Sequence, residues 1–152
     1  MRFEWDDQKA AENIAKHRVS FGEATEVFYD PNAVELEDTA HSVNEARFVI
    51  IGYSTNRMLY VVFAERVSNV IRIISRGRRR RQKERYMKNN KDKKSESRAQ
   101  EVELVVTQDD YEAGLKRGWT DDDMLKPGRY KFKRGGFLER HPELKVREKK
   151  RA

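Results

Sequence analysis

The sequence predicts an α+β fold, in which an N-terminal strand and two helices pack on an antiparallel sheet. Three observations support this. Capped helical patterns fill much of the first thirty or so residues, segments rich in β-forming residues follow, and short polar joins of the hairpin kind separate those segments. Helical and strand segments grouped in this way are typical of helices that cover one face of a sheet.

The N-terminal elements are predicted from alternation and capping. The stretch RFEWD alternates as a short edge strand does. Asp6 or Asp7 is expected to cap a first helix that runs to about Lys16. The stretch SFGEATEVF predicts a second helix, because Ser20 followed by Glu23 forms the pattern of a capping box. The proline of the next stretch, DPN, ends this helix.

The sheet is predicted from four segments, AVELE, ARFVIIGYS, MLYVVFAER and NVIRIIS. The first alternates, and the others are denser in apolar β-formers. In the last segment, alternation places Arg72 on the same face as Val70 and Ile74. A basic helix is expected to begin near Gly77, directly after this strand.

The composition changes near Met87, which predicts a division of the chain. We expect a first domain of residues 1–87, a basic polar linker of residues 88–100 and a small C-terminal unit of residues 101–140. That unit is expected to be a mostly irregular mixture of strand and helix. Residues 141–152 are expected to form a disordered basic tail.

Composition narrows the class of protein. Apolar residues make up 37% and charged residues 39%, so one modest core is expected. The absence of cysteine excludes disulfides and thiolate metal sites, and no segment approaches the ~18 apolar residues of a membrane span. The N-terminus is too polar for a signal peptide, so a cytoplasmic protein is expected.

The charge is concentrated in one place. The net charge is +7, and residues 76–98 hold 12 basic side chains and only 3 acidic ones. Such a concentration is the electrostatic pattern expected of a nucleic-acid-binding protein, although a solubilising segment or a solvated helix face gives the same pattern.

Arginines are the main candidates for chemistry. The three histidines lack the spacing of metal ligands, and no glycine-rich phosphate loop or G-x-S-x-G motif occurs. Arg72 lies among apolar residues, so it needs either a carboxylate such as Glu65 or Glu45, or an anionic ligand. Arg76 and the arginines after it match phosphate oxygens, which guanidinium groups bind in a bidentate manner.

RNA cleavage is one reaction that such a site can perform without a metal. The 2′-OH attacks the neighbouring phosphate, and the protein aligns the groups, neutralises the developing charge and moves two protons. The same arginines can instead bind RNA or DNA without cleaving it, and charge alone does not separate these alternatives.

The sequence resembles the BrnT family of bacterial type II toxins over residues 3–86. The motifs F-E-W-D, K-H-x-V-S-F, F-x-D-P, H-S-x-x-E-x-R and I-R-I-I-S occur in that order. The resemblance implies a compact RelE-like fold and a ribonuclease, a hydrolase of RNA, that blocks translation without a metal or other cofactor. It also implies neutralisation by a small antitoxin and binding of operator DNA through the antitoxin complex, with no membrane partner.

Within this resemblance, Arg72 and Arg76 are the residues expected to bind the scissile phosphate, with help from Arg66. Tyr86 is expected to stack on a base or assist proton transfer, and His17 and Glu45 are weaker acid/base candidates. The residues expected to guide RNA are Arg78, Arg79, Arg80, Arg81, Lys83 and Arg85.

Two departures from the family pattern qualify the interpretation. The family commonly reads I-I-S-A-R, whereas this chain reads IISRG. Because the alanine is missing, every later side chain is expected to point in a different direction. In addition, residues 87–152 carry no recognised signature. They represent either an antitoxin-like segment fused in frame, which would inhibit the toxin, or a separate extension. A catalytically inactive nucleic-acid-binding regulator is the second interpretation, and a module for protein interaction is the third.

Overall fold

The computed structural model describes residues 1–67, 69–78, 100–121 and 124–144, with the backbone alone at residues 76–78. None of the helices in these ranges is long and apolar enough to cross a membrane. The elements follow in this order: β1 (Arg2–Glu4), α1 (Asp7–His17), α2 (Phe21–Val27), β2 (Val34–Glu37), a 3-10 turn (Thr39–His41), β3 (Arg47–Tyr53), β4 (Met58–Arg66), β5 (Val70–Arg78), β6 (Glu101–Val106), α3 (Gln108–Lys116), β7 (Gly128–Arg134) and α4 (Gly136–Arg140).

Both N-terminal helices begin at the predicted caps. The side chain of Asp6 accepts a hydrogen bond of 3.0 Å from the backbone N–H of Lys9, and Ser20 accepts one of 2.9 Å from Glu23. These side chains satisfy backbone donors that have no partner within a helix. The two predicted helices are therefore confirmed. The segments predicted to be strands are also confirmed, since they form β1 to β5.

The strand order in the sheet is β1-β5-β4-β3-β2-β7-β6. Strands β2 to β5 form an antiparallel meander, as predicted, whereas β1 pairs with β5 in parallel. Strand β5 also runs through Gly77 to Arg78. Gly77 and Arg78 still pair with β4, and the basic helix predicted to follow lies outside the described residues.

The C-terminal part of the chain, here called the extension (residues 101–144), joins the same sheet. Strand β7 pairs with β2 at Val34 and Glu35, and β6 pairs with β7. The sequence did not predict that the extension joins the sheet, because neither strand sequence alone indicates which distant strand it pairs with. The division at residues 87/88 and 100/101 stays a prediction.

The tail predicted from residue 141 is wrong at its start. His141 is 7% exposed, and Leu144 is fully buried in the core. Residues 145–152 lie outside the described residues.

Each face of the sheet is covered, and each core contains residues from both parts of the chain. On the first face, here called the helix face, the extension adds Phe137, Leu138 and Leu144 to the core beneath α1 and α2. On the opposite face, here called the extension face, it adds Leu104, Val106, Leu125 and Phe132 to a cluster with Tyr60, Val62 and Ile74.

Candidate functional site

Two of the predicted arginines lie on one face at one end of the sheet. Arg66 ends β4 opposite Val70, and Arg72 in β5 lies opposite Ala64. Residues that face each other across antiparallel strands share a face, so Arg66 and Arg72 are diagonal neighbours on the extension face. The sequence produces this arrangement because the side chains of each strand point alternately to the two faces of the sheet, and both arginines occupy positions that point to the same face.

Arg66 is held by two carboxylates. Its Nη1 donates to Oε1 of Glu4 at 2.9 Å, and its Nε lies 3.7 Å from Oε2 of Glu45. The hydrogen bond to Glu4 raises the pKa of the Arg66 guanidinium above its ordinary value. The side chain remains 48% exposed. Glu45, predicted as a weaker acid/base candidate, therefore does lie beside one of the predicted arginines.

Arg72 differs from Arg66 in lacking such a partner among the described residues. It is partly buried, and no described carboxylate lies within 4 Å of its guanidinium. The two carboxylates expected to pair with it bind elsewhere: Glu65 accepts from Arg140, and Glu45 faces Arg66. Partly desolvated cations of this kind favour an anionic ligand, because a charge removed from water without a counter-charge is costly.

A bulge separates Arg72 from the third predicted arginine. The pairing of β4 with β5 shifts between Val62 and Phe63, so that position 76 lies opposite Val61. Val61 belongs to the helix-face core, whereas the partner of Arg72, Ala64, belongs to the extension-face core. The backbone therefore assigns positions 72 and 76 to opposite faces. An extra residue in one strand has this effect because it reverses the alternation that follows.

Among the remaining predicted arginines and the predicted tyrosine, the structure describes only the backbone of position 78. Position 78 pairs with Leu59 in the backbone of β5. The other predicted RNA-guiding residues and Tyr86 lie outside the described residues: Arg79, Arg80, Arg81, Lys83 and Arg85.

His17 lies at the other end of the sheet. The carbonyl of the next residue, Arg18, accepts a hydrogen bond of 2.9 Å from Nη2 of Arg57. Arg57 immediately precedes β4, whereas Arg66 ends this strand of nine residues. Nδ1 of His17 accepts a hydrogen bond of 3.1 Å from the indole N–H of Trp119. The structure therefore does not bring His17 to Arg66 and Arg72.

Sequence reasoning missed Glu4, which binds Arg66 from the edge strand. Glu4 lies opposite Arg72 in the parallel pairing of β1 with β5. The signal was present in the stretch RFEWD, where alternation separates Glu4 from Phe3 and Trp5. What the sequence did not indicate was the strand with which this segment pairs.

It also missed a histidine cluster that joins the extension to the first part of the chain. Nδ1 of His41 lies 2.7 Å from Asp38, and Nε2 lies 3.3 Å from Asp121 of the extension. Asp121 in turn accepts a hydrogen bond of 2.6 Å from the hydroxyl of Tyr111. The imidazole therefore bridges two segments that are far apart in sequence.

A second polar cluster joins α4 to the sheet. Arg140 donates to both carboxylate oxygens of Glu35, at 3.2 Å and 2.6 Å, and to Glu65. His141 Nε2 lies 3.0 Å from Glu65. Neither cluster has a complete short-range signature, because the first joins the 3-10 turn to the extension and the second joins β2 and β4 to the extension.

Comparison with known proteins identifies a protein family and a similar solved structure. The family model described as ribonuclease toxin, BrnT, of type II toxin–antitoxin system matches residues 5–84. The 1.1 Å crystal structure of the Brucella abortus ribonuclease toxin BrnT is 28% identical, with a TM-score of 0.42. The match covers 51% of this chain and 94% of that chain. Comparison with curated proteins gave no match.

Proposed function

This chain belongs to the BrnT family of ribonuclease toxins of type II toxin–antitoxin systems, and we propose that it is itself an endoribonuclease that cleaves RNA without a metal and thereby inhibits translation in the bacterial cytoplasm. The observation that carries the proposal is Arg72, a partly buried residue whose guanidinium has no carboxylate within 4 Å among the described residues. A phosphate is a chemically suitable counter-charge.

The proposed chemistry is in-line attack by the 2′-OH on the adjacent phosphate, with departure of the 5′ oxygen. Arg72 neutralises the charge that develops on the phosphorane, and Arg66 lies beside it on the same face. Glu45, next to Arg66, is the better placed of the two weaker acid/base candidates, since His17 lies at the other end of β4. We retain Arg76 and Tyr86 as proposed participants and the arginines of residues 78–85 as proposed RNA guides.

We further propose that the extension inhibits the site in cis. Leu104, Leu125 and Phe132 of the extension pack in the extension-face core, which also contains Ala64, the cross-strand partner of Arg72. A polynucleotide that approached Arg72 along this face would meet the extension. A cognate antitoxin acting in trans, which would bind operator DNA in the complex, remains the partner that membership of the family implies.

A specific observation favours a second candidate function, that of a catalytically inactive regulator that binds nucleic acid. The bulge in β5 assigns positions 72 and 76 to opposite faces of the sheet. Arginines on opposite faces of the sheet could not bind the same phosphate. Under this alternative, the protein binds RNA or operator DNA in a strongly salt-dependent manner and leaves it intact.

The first test is cleavage of RNA by the full-length chain. Arg72→Ala is expected to reduce the cleavage rate by roughly 10²–10³-fold, the loss typical when a group that stabilises the transition-state charge is removed. Arg129→Ala is the matched control, because Arg129 is 78% exposed and lies in β7. Equal rates for the wild type and Arg72→Ala would reject the site. Salt-dependent binding without cleavage by any form would favour the regulator.

Inhibition by the extension is tested in the same assay. Asp121→Asn removes the charge that the extension presents to His41, so it weakens docking without altering Arg66 or Arg72. We expect faster cleavage by this variant than by the wild type. The full chain is required, because a fragment that ends near residue 86 lacks residues that fill both cores. An unchanged rate in a correctly folded variant would exclude inhibition by docking.

A further inference from the structure

We propose that Glu35, Phe48 and Glu65 form a binding site for the guanidinium of an arginine presented by a helix, and that Arg140 of the chain's own α4 occupies it. The inference deepens the proposed function, because it names a contact through which the extension is held on the toxin part. It rests on that function for the idea that this docking inhibits the toxin. Binding of the guanidinium itself is tested without RNA.

The geometry is that of a guanidinium receptor. Nε and Nη2 of Arg140 donate to the two oxygens of Glu35 at 3.2 Å and 2.6 Å, and Nη1 donates to Glu65. The central carbon of the guanidinium lies 4.5 Å from the centroid of the Phe48 ring. Two carboxylates at the edge of the plane and an aromatic ring against its face match the directions in which an arginine forms its strongest contacts.

The receptor requires a cation. The side chain of Glu35 is 7% exposed and that of Glu65 is 22% exposed. Burial raises the pKa of Glu35 above its ordinary value, and Arg140 opposes this effect through its hydrogen bonds and its charge. Without a cation, two partly desolvated carboxylates would face each other, and a buried charge without a partner is strongly destabilising.

The receptor and its occupant belong to different parts of the chain. All three receptor residues fall within residues 5–84, which the family model matches, and Arg140 falls outside them. The Arg140 side chain is 34% exposed, so the receptor opens to solvent. The next residue, His141, also contacts Glu65 at 3.0 Å. The toxin part thus carries a site that an arginine on a helix fills, here Arg140 in cis.

The experiment is chemical rescue in the full-length chain. Arg140→Ala empties the receptor, and ethylguanidinium, at concentrations far below those that denature proteins, is then added. We expect ethylguanidinium to raise the Tm of Arg140→Ala by several degrees in a saturable manner and to leave the wild-type Tm unchanged. Ethylammonium, which has the same charge but lacks the planar fork of donors, should give a much smaller rise.

Two controls identify the site. Arg129→Ala removes an arginine from the exposed pair with Glu103, and ethylguanidinium should not stabilise it. Adding Glu65→Gln to Arg140→Ala should abolish most of the rescue. Equal effects of ethylguanidinium on Arg140→Ala, Arg129→Ala and the wild type would show that Arg140 forms a structural ion pair only, and would overturn the proposal.

If Arg140→Ala does not fold, the same measurement is made on a double variant. Adding Glu35→Gln removes the buried charge and leaves Glu65 and Phe48 to bind the probe. This double variant should still gain stability from ethylguanidinium, although less than the single variant, and no gain would reject the receptor. Because none of these measurements uses RNA, their outcome is independent of whether the protein is a ribonuclease.

Discussion

At the scale of single residues, Arg18 adopts a strained backbone conformation at the end of a helix. It lies in the stretch KHRVSF and follows α1 with φ 57° and ψ 34°, in the left-handed region. A side chain with a Cβ is disfavoured there because the Cβ approaches the carbonyl oxygen.

We therefore expect Arg18→Gly to stabilise the protein. The backbone carbonyl that accepts from Arg57 is retained, and the Arg18 side chain is exposed, so little is lost. The gain in the free energy of unfolding should be about 0.5–1 kcal/mol, because relief of the left-handed strain exceeds the entropy cost of glycine. Urea denaturation measures it.

Asn69→Gly is the matched control for Arg18→Gly. Asn69 also adopts a positive φ, 58°, but asparagine tolerates this conformation better than arginine does. Its replacement should change stability less than Arg18→Gly. A loss of stability in Arg18→Gly would show that its side chain makes contacts that outweigh the strain.

At the scale of elements, the 3-10 turn and the extension meet at a histidine that lies between two carboxylates. His41 is 8% exposed at the side chain, between Asp38 and Asp121. Burial lowers the pKa of His41, but hydrogen bonds and charge from Asp38 and Asp121 outweigh it, so the pKa is raised overall. Hydrogen bonds from Tyr111 and His41 lower the pKa of Asp121. Among the described residues, the other titratable groups that interact with this cluster include Tyr130, close to Asp38, and Lys126, close to Asp121.

These shifts predict a dependence of docking on pH. Because the folded pKa of His41 is raised, its contribution to stability is fully present below the unfolded value of about 6.5 and is lost as the pH rises through the folded value. The contribution of Asp121, whose pKa is lowered, is present above about pH 3.9 and is lost in stronger acid. Docking should therefore be tightest in mildly acidic solution.

The measurement is the free energy of unfolding against pH for the wild type and Asp121→Asn. The difference should be largest near pH 6, at most about 1 kcal/mol because Asp121 is half exposed, and should decrease above neutral pH. Asp109→Asn, in the first turn of α3, is the control and should give a difference that does not vary in this range. A difference that increases with pH would contradict the assigned charge on His41.

At the scale of the whole molecule, the extension is part of the fold. It continues the sheet through the pairing of β7 with β2, and it supplies apolar side chains to the cores on both faces. Phe132 is fully buried on the extension face, and Phe137 packs against Phe28 at 4.9 Å between ring centroids. Parts that share cores in this way are expected to unfold together.

The two tryptophans test this cooperativity, because one lies in each part. Trp5 packs against Phe21, and Trp119 packs against Tyr60. In single-tryptophan variants, the two fluorescence transitions should coincide. Phe132→Ala should shift both to lower denaturant by the same amount, equivalent to about 3–5 kcal/mol for a large buried aromatic side chain.

Val67→Ala serves as the control for Phe132→Ala. Val67 is 88% exposed, so its replacement should leave both transitions in place. Two separate transitions, with only that of Trp119 sensitive to Phe132→Ala, would show that residues 101–144 form an independent domain.

Much of the first part of the fold was predictable, because its signals are local. The caps at Asp6 and Ser20, and the phase of Arg72, depend on residues within a few positions of each other. The parallel pairing of β1 and the bulge in β5 were not predictable, since both depend on partner strands that are distant in sequence. For the proposed site, the sequence suggested Arg66, Arg72 and Glu45, which the structure places at the same end of the strands, but it did not indicate that Glu4 binds Arg66.

The sequence by itself determined the family, the caps, the strands and the concentration of arginines, because each is a pattern of neighbouring residues or an ordered set of motifs. Tertiary structure alone decided which carboxylate each arginine meets: Glu4 binds Arg66, while Glu35 and Glu65 bind Arg140. It also decided that the extension continues the sheet beyond β2. Pairing between segments this far apart is selected by the shape and charge of the assembled surfaces, which exist only once the chain has folded.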